Sequence, residues 1–401
     1  MEKYLALILL IIHILHLDVG NGNLLRQRRQ DYYEDDYYPE EEDYPTNGGE
    51  EGPVTVYKNG KIYTVAGSDW WLSPKTAVVV ADGKIKYVGD DASAENLAVA
   101  GSKIVDLGGK TVLPGIHDVH QHPLEAGDDI VSCQLDTDTS PNILKDYVFD
   151  CAKKASPTEW VLGNGHSIRA LLDYLKTGGP SPRALLDSVV PDRPVVMLEE
   201  TSHSVWVNSK ALEKAGFLKG VANPSGGVIM KDSTGEPNGI LLENAGNIVM
   251  GIALDPNTYP QLLKKQYDGL VYTLGVLAEN GITSVVDARC YWKRSSHETY
   301  EKVKKDGLLT SRAVLALWAY PQLPDSQIVD LKALFSNTDP MLRRNQIKVY
   351  SDGLLDSTTA AMFSPYKIEL GLGLGTGNTG MNYFTEGCLF MRLNAYADEK
   401  E

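Results

Sequence analysis

The rhythm of apolar and polar positions changes twice along the chain. Tyr4 to Leu17 is apolar except for His13 and His16, with Lys3 before it and Gly20 and Gly22 after it. That order predicts a secretory signal peptide over residues 1–22, because the run is short for a membrane span of ~20 residues. From Val54 to Leu113, β-prone runs of a few residues alternate with turn dipeptides. Val54–Tyr57 and Lys61–Val65 flank Asn59-Gly60, and Ala77–Ala81 and Lys84–Gly89 flank Asp82-Gly83. Such dipeptides between β-prone runs predict hairpins and a small antiparallel unit over 54–113. Beyond Pro114-Gly115, helical and extended stretches take turns. Tyr259–Asn280, His297–Lys305 and Ser326–Phe335 read as helices; Thr283–Asp287, Arg312–Trp318 and Ile347–Asp352 read as strands. Alternation of this kind favours a parallel α/β sheet. Short strands at Val195–Glu199, Val205–Asn208 and Val228–Lys231 break the rhythm, so 160–244 reads as an inserted α+β subdomain.

Charge sharpens this division. The 401 residues carry a formal net charge of −15. Ten acids and no base fall within 31–51, leaving an ordinary balance for the rest of the chain. Residues 23–53, with DYYEDDYYPEEEDY at their centre, are expected to be a disordered acidic, Tyr-rich segment and a candidate for tyrosine sulfation. The acidic balance argues against a broad nucleic-acid footprint. Once the signal peptide is removed, no other run is apolar enough for stable membrane insertion, so a secreted or secretory-pathway protein is expected. Four cysteines exclude a disulfide-dense scaffold. Cys133 and Cys151 are compatible with a disulfide or with buried thiols.

The sharpest chemical signal is Pro114-Gly115-Ile116-His117-Asp118-Val119-His120-Gln121-His122. On a strand, Asp118, His120 and His122 would share one face. Two imidazoles at i and i+2 suit a divalent ion, zinc foremost. Lys348, Tyr350 and Asp352 would likewise share a face. A buried lysine there could lose its proton and form a carbamate. A snorkelling or ion-paired lysine is the alternative. GLGLGTGNTG, residues 371–380, lacks the strand–loop–helix context of a phosphate loop.

The run GKTVLPGIHDVHQH resembles the first barrel strand of the amidohydrolase superfamily. TEWVLGNG, SPRALLDSVVPDRPVVM, HSVWVNSKALEKAG, GGVIMKDSTGEPNGILLENA, ENGITSVVDA and IKVYSDGLLDSTTAAMFSPY resemble, in order, segments of its type-3 branch, which includes N-substituted formamide deformylases. The resemblance implies a TIM-like (β/α) barrel, a β-sandwich and an inserted subdomain. It implies a metal-dependent hydrolase of carbon–nitrogen bonds other than peptide bonds, acting through metal-activated water on small amide-type substrates. His120 and His122 would be ligands to one or two ions, and Lys348 a carboxylated bridge. His203 would contact substrate, and Asp118 would support the ligands without ligating. Glu243 could merely anchor the insertion, His117 is expected to be structural, and His166 is given no role.

The chain departs from that pattern after Lys348. None of its eight histidines follows His297, whereas the branch supplies further ligands downstream. The expectation is therefore the first four barrel strands over 114–380, an atypical tail at 381–401, and a truncated form with weak or no turnover. Homo-oligomers are left open. The rival reading is a non-catalytic secreted remnant or binding protein of the same fold.

Overall fold

The computed structural model describes residues 54–67, 71–130, 133–156, 159–372 and 374–383. The expected signal peptide and acidic segment, and the tail beyond 383, lie outside the described residues. The chain divides into two compact units, Met1–Leu113 and Pro114–Glu401.

The described part of the first unit holds β1 (Thr55–Lys58), β2 (Lys61–Ile62), β3 (Ala77–Ala81), β4 (Lys84–Gly89), β5 (Lys103–Asp106) and β6 (Thr111–Val112). One sheet has the order β4-β3-β1-β5, and β2 and β6 form a separate pair. The Asp82-Gly83 hairpin forms as expected: β3 and β4 are antiparallel, and both turn residues take positive φ. Asn59-Gly60 does not make a hairpin. β1 pairs instead with β3 and, in parallel, with β5, while β2 joins β6. The Asn59 side chain donates to Asp106 Oδ1 at 2.8 Å, and its backbone N–H donates to Asp91 Oδ1 at 3.0 Å. Those longer-range bonds turn the chain away from its neighbour in sequence. The unit is therefore mixed rather than purely antiparallel. Val56, Ala77, Val79, Ala81 and Ala94 form its small core.

The second unit contains two larger sheets. β8 (Cys133–Gln134), β9 (Val161–His166), β10 (Val195–Glu199), β11 (Ser204–Val207), β12 (Gly227–Lys231) and β13 (Pro237–Glu243) make a six-stranded sheet of order β12-β13-β11-β10-β9-β8. This sheet recruits Cys133–Gln134 from upstream of the 160–244 segment. Its β10, β11 and β13 are buried on both faces, and Trp206, Met197 and Ile240 lie in one of its two cores. The other core holds Val205, Leu241 and Val249. Asn208, at the N-cap of helix Ser209–Ala215, is buried and fully used. Its Oδ1 accepts from Val195 and Ala211 backbone N–H groups, and its Nδ2 donates to the carbonyls of Val190 and Arg193. Cys133 and Cys151 form a disulfide, with Cα atoms 5.7 Å apart.

The other sheet is wholly parallel, in the order β16-β15-β14-β7: β7 (Ile116–Gln121), β14 (Ile282–Cys290), β15 (Arg312–Trp318) and β16 (Leu342–Lys348). Helices Ser296–Lys305 and Gln327–Ala333 connect its successive strands. The last strand starts five residues earlier than the sequence pattern places it and ends at Lys348, so Tyr350 and Asp352 lie beyond it. Helix Gln261–Glu279 crosses helix Pro123–Ile130 at Gly127 and Gly269. A Cβ on Gly127 would stand 2.3 Å from the Gly269 carbonyl carbon, so only glycine lets these backbones meet.

Candidate metal centre

The carboxyl ends of β7, β14 and β16 and the β10–β11 turn surround a cavity of ≈ 580 Å³. His120, His122, Glu125, His203, Arg289, Lys348 and Tyr350 are among its lining residues. Open parallel sheets keep ligand sites at this end of their strands. His120 with His122, His203 and Lys348, from three widely separated stretches of sequence, thus line one cavity.

The His120 and His122 rings are 5.5 Å apart and nearly perpendicular. His122 Nδ1 is buried without a hydrogen-bond partner and lies 3.8 Å from Asp287 Oδ1, beyond bonding distance. Asp287 is engaged elsewhere: Oδ2 accepts from Tyr300 at 3.1 Å, and Oδ1 accepts from the Arg289 backbone at 3.2 Å. Burial, then the neighbouring charge of Lys348, pushes His120 below the ordinary histidine range. Burial, then Arg289, lowers the Lys348 amine likewise. Both shifts favour neutral donors, the form in which imidazole ligates a cation and an amine takes up carbon dioxide. The orphaned His122 nitrogen and these neutral donors fit a divalent ion. Among the described residues, no group of three or more His, Cys, Asp or Glu side chains could hold a metal. The candidate donors are two imidazoles and one amine.

Asp118 lines, with His117 and Val119, a second cavity of ≈ 290 Å³. The pairing of β7 with β14 shifts register twice, so strict alternation does not carry through the motif. Asp118 still reaches its neighbour through the backbone, Oδ1 accepting from His120 N–H at 3.2 Å.

Two constellations escape the sequence pattern. Arg289 is 6% exposed, and its Nη2 donates to both Glu125 oxygens, at 2.6 and 2.5 Å. Its Nη1 donates to Tyr350 Oη at 2.5 Å, and Tyr291 Oη donates to Glu125 Oε1 at 3.2 Å. Burial would raise the Glu125 carboxyl, but Arg289 outweighs it and holds the group below its usual range. The second constellation centres on Glu243, 3% exposed at the end of β13. Its Oε2 lies 2.7 Å from His203 Nδ1 and also accepts from Tyr383 Oη; its Oε1 accepts from Thr359 Oγ1 at 2.5 Å. His203 follows Ser202, whose positive φ closes the short β10–β11 turn, and its ring stacks on Tyr350 at 5.9 Å. Glu243 is thus more than an anchor for the insertion, a role nothing local in the sequence announces.

A model of the amidohydrolase family matches residues 103–400. The chain belongs to the amidohydrolase family. Its membership of the type-3 branch agrees with the ordered segments noted above. Among amidohydrolase relatives, N-substituted formamide deformylase of Arthrobacter pascens is 31% identical over 178 residues, which are 43% of this chain and 32% of that protein. Protein LONG AFTER FAR-RED 3 of Arabidopsis thaliana is 27% identical over 315 residues, covering 77% of this chain and 52% of the relative. The chain spans about half the length of the curated relatives it matches. In fold, this amidohydrolase resembles the crystal structure of an uncharacterized metal-dependent hydrolase from Pyrococcus horikoshii, with TM-score 0.62 and 20% identity over 86% of this chain and 63% of the other. A second metal-dependent hydrolase, from Pyrococcus furiosus, gives TM-score 0.59 and 22% identity.

Proposed function

We propose that the cavity is the active site of a metal-dependent hydrolase acting on carbon–nitrogen bonds of small amide-type molecules, peptide bonds excepted. The carrying observation is the convergence of His120, His122 and Lys348, from opposite edges of one parallel sheet, on a single cavity. In this reading the four parallel strands are an arc of a (β/α) barrel. His120 and His122 would hold a divalent ion, zinc foremost, and Lys348, once carboxylated, would be a further ligand. A divalent ion there supplies Lewis acidity and an acidified water. The protein's own groups orient the substrate: Arg289 and Glu125 brace the floor, and His203 faces in from the six-stranded sheet. The match to an N-substituted formamide deformylase favours formamides and simple acyl amides as first substrates to try.

The rival, a non-catalytic protein of the same fold, rests on the smallness of the donor set. Metal content separates the two. The hydrolase reading expects at least one zinc per chain by elemental analysis, lost in His120→Ala/His122→Ala, with turnover of an amide panel. A metal-free chain that is inert toward that panel would establish the rival. We also place the protein in the secretory pathway; the Cys133–Cys151 disulfide supports an oxidising compartment.

A further inference from the structure

Glu243 is tightly constrained and bonded to the cavity-lining His203. It takes φ +52 and ψ −121, a sparsely populated conformation for a residue with a side chain. Gly353 packs against it so closely that a Cβ there would lie 2.6 Å from Glu243 Oε1. Three donors converge on its carboxylate from different parts of the fold. Tyr383 and Thr359 belong to the segment after the parallel sheet, and His203 to the turn of the six-stranded sheet. Thr359 Oγ1 accepts from the Leu354 N–H at 2.9 Å, which leaves its own hydrogen for Glu243. A further backbone bond, Glu243 N–H to the His203 carbonyl at 2.8 Å, fixes the two residues together.

An ionised carboxylate only accepts, so His203 Nδ1 must carry the hydrogen in this bond. In the neutral tautomer with its hydrogen on Nδ1, Nε2 carries none and is free to accept. Stacking on Tyr350 restrains the ring plane, and the residue lines the same cavity as His120, His122 and Lys348. Glu125 cannot provide that acceptor as readily, because Arg289 occupies both of its oxygens.

We propose that Glu243 is a positioning residue that holds His203 with a bare Nε2 toward the cavity, where it accepts the N–H of the bound amide. The site then selects amides that keep a hydrogen on nitrogen over fully alkylated ones. This deepens the amide-hydrolase reading and rests on it for the substrate class, but the state of the ring can be read without turnover.

The test is nitrogen NMR of the full chain with labelled histidine, prepared without added metal, using His203→Gln to assign the ring. The wild type should show a protonated Nδ1 and an unprotonated Nε2. N-methylformamide should shift the Nε2 resonance, and N,N-dimethylformamide should leave it in place. In Glu243→Gln the hydrogen should redistribute between the two nitrogens and the discrimination between the two amides should disappear. A protonated Nε2 in the wild type, or equal response to both amides, overturns the proposal; these wild-type arms decide even where the variant does not fold. An inert protein that nonetheless shows the bare Nε2 and the N–H preference would count against hydrolysis and leave the positioning role standing.

Discussion

At the scale of single residues, the chemistry of the cavity depends on which buried groups are paired. Arg289 and Glu125 are paired, and removing one partner strands a buried charge, which costs about 3–5 kcal/mol. Glu125→Ala should therefore lower the unfolding free energy by about that amount in urea titration, and Arg289→Met in the same chain should recover part of the loss. His166 is a different case. It is fully buried beside Trp206, and burial pulls it to about 3, far below the ordinary histidine value. An unfolded chain binds that proton near pH 6.5 and the folded one does not, so the stability from this group is complete above pH 6.5 and drains away as pH falls toward 3. The urea midpoint of the wild type should drop between pH 6.5 and 4, and that of His166→Leu should drop less. The residue roles differ in how legible they are. His120 and His122 sit two apart and announce themselves. Glu125 and Arg289 are 164 positions apart, and Tyr383 and Glu243 are 140 apart, so only folding brings them together.

At the scale of elements, the same local signal has different outcomes because tertiary partners choose between them. Asp82-Gly83 becomes a hairpin because β3 and β4 are both free to pair. Asn59-Gly60 has equal local credentials, yet β5 and β3 claim β1 first. β16, with the sequence LRRNQIK, was hidden by its polar residues, and the pattern marks the more apolar Ile347–Asp352 instead. Both α/β alternation and the strands Ala77–Ala81, Val195–Glu199 and Arg312–Trp318 are legible, because each couples β-branched or apolar runs to clear turn residues. The link between β8 and helix Pro141–Lys154 is covalent as well as packed. The disulfide closes a loop of 18 residues, which is worth about 3 kcal/mol in the unfolded chain. Cys151→Ser, or a reductant under non-denaturing conditions, should lower the melting temperature by several degrees in calorimetry; an unchanged transition would show that the bridge adds nothing to this sheet. At the helix crossing, Gly127→Ala should cost about 1–3 kcal/mol, because its methyl meets backbone rather than a side chain that can swing away.

At the scale of the whole molecule, the parallel sheet has two ends. β7 and β16 are its outer strands among the described residues, and β7 carries Ile116 at 56% and Val119 at 73% exposure. An outer strand with unpaired backbone groups and exposed branched apolar side chains is a template for pairing with another chain. The motif that supplies His120 and His122 thus lies on an outer strand that carries exposed apolar side chains. The two properties can be separated, since Val119 lines the second cavity with His117 rather than the wall that carries His120 and His122. Val119→Lys places a charge on that outer strand, a device that natural sheets use to block edge pairing. Sedimentation velocity of the protein with this sequence should show larger species growing with concentration, and Val119→Lys should shift the distribution toward the monomer. Zinc content should be the same in both, because neither imidazole has been altered. Equal association in the two proteins would mean that the contact lies elsewhere. Loss of zinc together with the larger species would mean that the site is completed only when two chains meet along β7.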